Sequence, residues 1–250
     1  GVSKLVLDVF PDLPMALIVL ACVATGTMLG ALNGLLVHGL RVPALIVTIG
    51  TQYMFRGILL VFIGTVWLME MPAQMIAFGK WSLVDIQASS GVTVSLPVYF
   101  LVFPLAALLT WFIFNRTLMG RAIFACGGKA DVAERLGYNL RVVHLFAFAY
   151  AGAHAGLAGV IQASANRMAN PYDFTGVEIG VIAAVVLGGA RITGGTGSVL
   201  GTVFGVLLVT VVNNVLVLVG IPSTWQRVVV GAFILLAAGF FVLRDRKAAR

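Results

Sequence analysis

Charged residues are scarce in this sequence. Asp, Glu, Lys and Arg make up only 10% of its 250 residues, and just nine residues are acidic. A soluble globular domain carries about 25% charged residues, so this chain cannot cover itself with a water-facing surface. Cysteine is scarce too. Cys22 lies in an apolar run and Cys126 beside a glycine pair, with no spacing pattern around either. They fit small packing positions and imply neither a metal site nor a disulfide. His144 and His154 lack ligand partners at useful spacing. A Ser/His/Asp set, paired carboxylates and a GxxxxGK[ST] phosphate loop are all missing, which argues against catalysis and against nucleotide binding by this chain. A starting Met, and a charged segment leading into a short apolar one, are missing as well. The expectation is that the original N-terminus has been lost; a processed mature end is the other reading.

What is abundant is apolar surface: 60% of the residues are A, V, I, L, M, F, W, Y or C. Lipid is the solvent for such a chain. A bilayer-spanning helix needs about 20 largely apolar residues, and 250 residues supply several. The net charge of +7 does not point to nucleic acid. The cations are spread along the chain, mostly between apolar runs, as topology signals are.

Seven apolar stretches stand out: 13–37, 43–63, 98–114, 142–163, 177–190, 198–219 and 225–243. The fold class is therefore all-α, a polytopic transmembrane helical bundle in one domain. The fifth stretch, about 14 residues long, is short for a full span. Between the second and third, residues 66–78 read as a short interfacial helix and 79–97 as a loop. Residues 115–141 form the longest well-charged island, with Arg116, Arg121, Lys129, Asp131, Glu134, Arg135 and Arg141.

Placing that island in the cytoplasm puts eleven cations inside: Arg41, Arg116, Arg121, Lys129, Arg135, Arg141, Arg191, Arg244, Arg246, Lys247 and Arg250. Four fall outside: Lys4, Lys80, Arg167 and Arg227. Inside loops favour Lys and Arg, so this orientation, with a cytoplasmic C-terminus, is expected.

Gly26, Gly30 and Gly34 share one helix face, as do Gly197, Gly201 and Gly205; Gly152 and Gly156 repeat the spacing. Small residues four apart let helix backbones approach closely in lipid. Packing within the chain is the simple reading, and a dimer seam is the other. Gly188-Gly189 and Gly194-Gly195-Thr196-Gly197 flank Arg191. With the short fifth stretch they suggest broken or re-entrant backbone, tolerated at depth only beside protein or a watery cavity.

Polar groups inside apolar helices are costly and so become functional candidates. Asn213 and Asn214 sit mid-way along the sixth stretch. Thr48, Gln52 and Arg56 lie at spacing four on one face of the second. A path for a hydroxylated solute would need such groups; interhelical hydrogen bonding would also account for them. Within the island, residues 130–138 read as a short amphipathic helix, with Val132, Ala133 and Leu136 as an apolar face and Gly137 ending it in a left-handed conformation. It is either a dock for a soluble partner or a connector lying on the bilayer surface.

Three segments carry a family resemblance. The first is Asn115-Arg116-Thr117-Leu118-Met119-Gly120-Arg121-Ala122-Ile123-Phe124-Ala125-Cys126-Gly127-Gly128, followed by Arg135-Leu136-Gly137. The second is Ile182-Ala183-Ala184-Val185-Val186-Leu187-Gly188-Gly189, leading into Gly194-Gly195-Thr196-Gly197-Ser198. The third is Val42-Pro43-Ala44-Leu45-Ile46-Val47-Thr48-Ile49-Gly50-Thr51, with Arg56-Gly57 after it. Over nearly its whole length the sequence resembles the permease subunits of bacterial ABC importers for monosaccharides, the group holding the ribose, xylose, rhamnose and autoinducer-2 permeases. The first and third segments resemble the rhamnose and autoinducer-2 branch most.

The resemblance implies a bundle of about ten spans in the bacterial inner membrane, paired with a second permease subunit, identical or different. It further implies two cytoplasmic ABC ATPase subunits that bind the ATP, and a periplasmic sugar-binding protein. The chain itself would need no cofactor. The loop 115–141 would carry a coupling helix, using Ala130, Asp131, Ala133, Glu134, Arg135, Leu136 and Gly137. The family's first spans, with their Gly-Gly-Ile-Asp-like motif, are not in this sequence, so a fragment or an N-terminally truncated chain is expected. A secondary transporter or channel is the main alternative, but acidic groups for an ion relay are nearly absent from the spans. A membrane-embedded enzyme and a non-transporting scaffold are the other two.

Overall fold

The computed structural model describes residues 14–40, 42–65, 67–69, 71–87 and 93–222, with 225, 228, 229, 231 and 232 beyond them. Most of the seventh apolar stretch, the cationic tail and Arg41 lie outside the described residues. In chain order the elements are α1 (Met15–Leu40), α2 (Ala44–Ile63), α3 (Ala73–Lys80), β1 (Ser82–Gln87), β2 (Thr93–Pro97), a 3-10 turn (Val98–Leu101), α4 (Val102–Arg116), α5 (Leu118–Gly128), α6 (Ala130–Arg135), α7 (Leu140–Asn166), α8 (Val177–Leu187) and α9 (Val199–Leu218). Among the described residues, five helical stretches are long and apolar enough to cross a bilayer: α1, α2, the 3-10 turn continued by α4, α7 and α9. The chain is a multi-pass α-helical membrane protein.

Two compact units are present. The first comprises residues 1–106 and 137–173, the second 107–136 and 174–250. The first is organised by α1 and α7, whose glycines interlock. A Cβ on Gly26 would strike the Gly152 carbonyl, and one on Gly30 the Phe148 carbonyl. At Gly34 it would lie 2.8 Å from the His144 carbonyl oxygen and 2.9 Å from the Leu145 Cα. Gly152 and Gly156 return the fit against the carbonyls of Gly26 and Cys22. Lipid tails are as apolar as leucine, so helix pairing here depends on such close van der Waals contact. The glycine ladder therefore serves packing within the chain. Ile18, Met75 and Val160, all buried, close the junction of α1, α3 and α7.

The region between α2 and α4 differs from the sequence expectation. The helix begins after Pro72 and runs 73–80 instead of occupying 66–78; Leu68 is extended, pairing with Ala169 through hydrogen bonds of 3.0 and 3.1 Å. Proline's fixed φ and missing N–H suit the helix entrance and not the residues before it. Residues 79–97 are not simply a loop. After α3 they form an antiparallel hairpin, β1 with β2, whose period-two alternation is that of a strand pair.

In the second unit α8 packs on α9. A Cβ on Gly188 would lie 2.7 Å from the Thr202 Cα; Gly201 meets the Gly188 carbonyl and Gly205 the Ala184 carbonyl. With 11 residues, α8 is about 16 Å long, roughly half of an apolar bilayer core of about 30 Å. Its end is a glycine break: Gly189, Gly194 and Gly195 have φ of 90°, 88° and 79°, a region in which only glycine is unstrained.

Candidate functional site

The charged island folds as a corner, a short apolar helix and a projecting helical turn. Thr117 makes the corner. Its hydroxyl donates to the Ile113 carbonyl at 2.6 Å and accepts from the Gly120 N–H at 3.1 Å, ending α4 and capping α5 at once. A Cβ on Gly120 would collide with the backbone of Ile113 and Phe114, so glycine is required for so sharp a turn. Phe114 and Phe124 close it edge to face, 5.7 Å apart. Arg116 lies over the Trp111 ring at 5.9 Å, which holds its charge at the helix end.

α5 ends on the glycine break after α8. A Cβ on Gly127 would sit 2.7 Å from the Gly195 nitrogen, and one on Gly195 would sit 2.7 Å from the Gly128 Cα. Gly194 in turn abuts the Gly127 carbonyl. The break is itself a closed loop, with Arg191 N–H donating to the Thr196 carbonyl at 3.1 Å and Gly194 N–H to the Arg191 carbonyl at 3.0 Å. Two sequence segments that carry the family resemblance thus meet backbone to backbone. Sequence spacing gave no signal of this clasp beyond the glycine pairs themselves.

Beyond the clasp, Lys129 is extended and α6 follows for six residues. Asp131 lies in its first turn and Arg135 in its last, each favourable to the helix dipole. Gly137, at φ 87°, ends it as the sequence suggested. The expected apolar face is not buried as a unit. Ala133 is 1% exposed, but Val132 is 48% and Leu136 70% exposed. One small contact side is all that so short a helix offers. Ala130, Asp131, Glu134 and Arg135 are exposed as well. The result is a projecting knob with apolar and charged groups side by side, chemistry suited to a groove in another protein.

The polar candidates of the spans belong to different units. In the first unit, Thr48 is half-buried and bonded back to the Leu45 carbonyl at 3.1 Å, while Gln52 is exposed. Arg56 lies over the Tyr172 ring, 5.4 Å from its centroid. Tyr172 is fixed by an Asx turn, its N–H donating to Asn170 Oδ1 at 2.8 Å and the Asn170 N–H donating to Asp173 Oδ2 at 2.8 Å. Tyr172 went unmarked in the sequence because only tertiary structure brings it to Arg56. The sequence likewise did not pair His38 with His144, whose rings lie 6.2 Å apart between α1 and α7. Among the described residues no three His, Cys, Asp or Glu side chains gather as a metal site. In the second unit, Asn213 is half-buried and Asn214 exposed on α9.

A family model described as "Branched-chain amino acid transport system / permease component" matches residues 2–238. Over 218 residues the chain is 34% identical to the autoinducer 2 import system permease protein LsrC of Escherichia coli (strain K12 / DH10B), a match covering 86% of this chain and 61% of that protein. The Shigella flexneri protein of the same name matches at the same identity and coverage. That of Salmonella paratyphi B is also 34% identical, with 60% of its length covered. The chain thus spans about three fifths of the length of the curated relatives it matches. No solved structure matches it. By a family match that runs nearly end to end, the chain belongs to the permease components of the branched-chain amino acid transport type.

Proposed function

We propose that this chain is a membrane permease subunit of an ABC importer, moving a monosaccharide or similar small polyol-like solute into the cytoplasm. One observation carries the reading: α6 projects with exposed charged and apolar groups while its base is clasped to the glycine break between α8 and α9. A helix placed so can both seat in a soluble partner and pass its displacement to membrane-embedded helices. Residues 1–250 act as one permease domain and 115–141 as its coupling loop.

The partner is a cytoplasmic ABC ATPase, which binds the ATP; a second permease subunit and a periplasmic sugar-binding protein complete the complex. The protein lies in the bacterial inner membrane with its C-terminus cytoplasmic, as the cation bias favours. Ala130, Asp131, Ala133, Glu134, Arg135, Leu136 and Gly137 form the coupling segment. Thr48, Gln52, Arg56, Asn213 and Asn214 line the solute path. The relatives named for autoinducer 2 import make autoinducer 2, beside monosaccharides, one of the first solutes to try. ATP can shift the permease between outward- and inward-open states only through contacts that differ between them, and α6 is the element placed to make such contacts.

Proteoliposomes with the assembled complex test this. ATP-driven accumulation of a radiolabelled sugar or of autoinducer 2 is expected, and it should vanish with a hydrolysis-dead ATPase subunit. Undiminished accumulation with that subunit would instead indicate a secondary transporter or channel.

A further inference from the structure

The hairpin between α3 and α4 has its foot at the start of a membrane span. The Val98 N–H donates to the Trp81 carbonyl at 2.9 Å, and the apolar span of residues 98–116 begins at that same Val98. The strands above this foot have two unlike faces. Val84 pairs with Leu96 and Asp85 with Ser95, and successive residues alternate sides. Val84, Ile86 and Leu96 therefore share one face, and they are 51%, 62% and 41% exposed. Asp85, Gln87 and Ser95 share the other.

The irregularity between Ser82 and Val84 makes Leu83 an extra residue in β1. Such a bulge re-aims the side chains beside it, and here it brings Ser82 to the polar side, where its hydroxyl donates to Asp85 Oδ2 at 3.0 Å. Hydrogen bonds from Ser95 and Ser82 hold the Asp85 carboxyl below the usual aspartate value, so this face stays charged at neutral pH. The polar face is thus internally bonded, whereas the apolar face is left open.

We propose that this hairpin lies flat on the phospholipid bilayer, with Val84, Ile86 and Leu96 seated at the level of the headgroups and Asp85, Gln87 and Ser95 in water. Three features of the surroundings favour lipid over a protein partner. The hairpin's foot is set at a bilayer boundary by the span it joins. Trp81, at the entrance to β1, is 64% exposed, and indole rings concentrate at headgroup depth. Lys80, exposed at the end of α3, supplies a cation suited to lipid phosphate.

The test uses the protein reconstituted in phosphatidylethanolamine–phosphatidylglycerol nanodiscs, with Cys22→Ala and Cys126→Ser as background. Single cysteines at positions 84, 85, 86, 87, 95 and 96 carry a nitroxide. Its collisions with oxygen, which partitions into lipid, are compared with those of a water-soluble nickel chelate. The expected result alternates: the oxygen-to-nickel ratio is several-fold higher at 84, 86 and 96 than at 85, 87 and 95. Free access of nickel to all six sites would overturn the proposal by placing the hairpin upright in water. Protection of 84, 86 and 96 from both reagents would overturn it in favour of a protein cover. Brominated lipid provides a label-free control: it should quench a share of the tryptophan fluorescence that Trp81→Phe removes, and an unchanged quenched share in that variant counts against the proposal.

Discussion

Gly30 shows how much a single hydrogen in place of a side chain can decide. Its face of α1 lies on the Phe148 carbonyl and 3.1 Å, measured from an added Cβ, from the Gly152 Cα. Gly30→Val forces these backbones apart, and overpacking of this kind costs about 1–3 kcal/mol. The variant should unfold at a lower temperature in detergent than the parent, read by thermal-shift fluorescence; an unchanged midpoint would contradict the interlocked packing. Asn213 poses a functional question. Asn213→Leu should lower solute uptake while membrane insertion and subunit assembly remain normal, and uptake at the parental rate would make Asn213 a packing residue. The α1 ladder was legible in the sequence because spacing four is a local signal. The Arg56–Tyr172 contact was not, since cation and ring lie far apart along the chain and meet only through the fold.

Among the elements, long apolar helices were the most legible. Each is a run of 19 to 27 residues, long enough to span a bilayer, and capping adjusts only the ends. The hairpin was hidden because its strands are six and five residues long, too short for alternation to stand out beside a mixed segment. Asp85 gives it a pH dependence with a definite sign. A carboxyl whose folded pKa is depressed contributes stability above its unfolded value, and that contribution is lost as the pH falls through the folded pKa. Protection of hairpin amides from hydrogen exchange, corrected for intrinsic rates, should hold at neutral pH and fall only in acid below the ordinary aspartate range. Asp85→Asn should remove this acid step. The clasp between α5 and the glycine break makes a different prediction. Gly127→Ala places a methyl group 2.7 Å from the Gly195 nitrogen, and relieving such a clash costs about 1–3 kcal/mol. The ATPase subunit should still copurify, but its ATP hydrolysis should no longer respond to the solute-loaded binding protein. A preserved response would show that α6 does not act through the clasp.

For the whole molecule, composition alone assigned the solvent, and the apolar runs assigned most of the spans. The family was legible because its motifs coincide with backbone constraints that tolerate little change: the Thr117–Gly120 corner and the glycines of the clasp. Positions that tell one solute from another were less legible, because a polar side chain in a span serves packing and transport with the same chemistry. In the proposed function, α6 is what joins the element scale to transport, with exposed charged side chains next to the α5 end that meets the glycine break. The most direct measurement replaces Glu134 and Arg135 together with alanine in the assembled complex and follows both copurification of the ATPase subunit and ATP-driven uptake. Weakened copurification, or retained ATP hydrolysis with uptake lost, is the expected result; parental assembly together with parental uptake would contradict the role of α6 as the coupling helix.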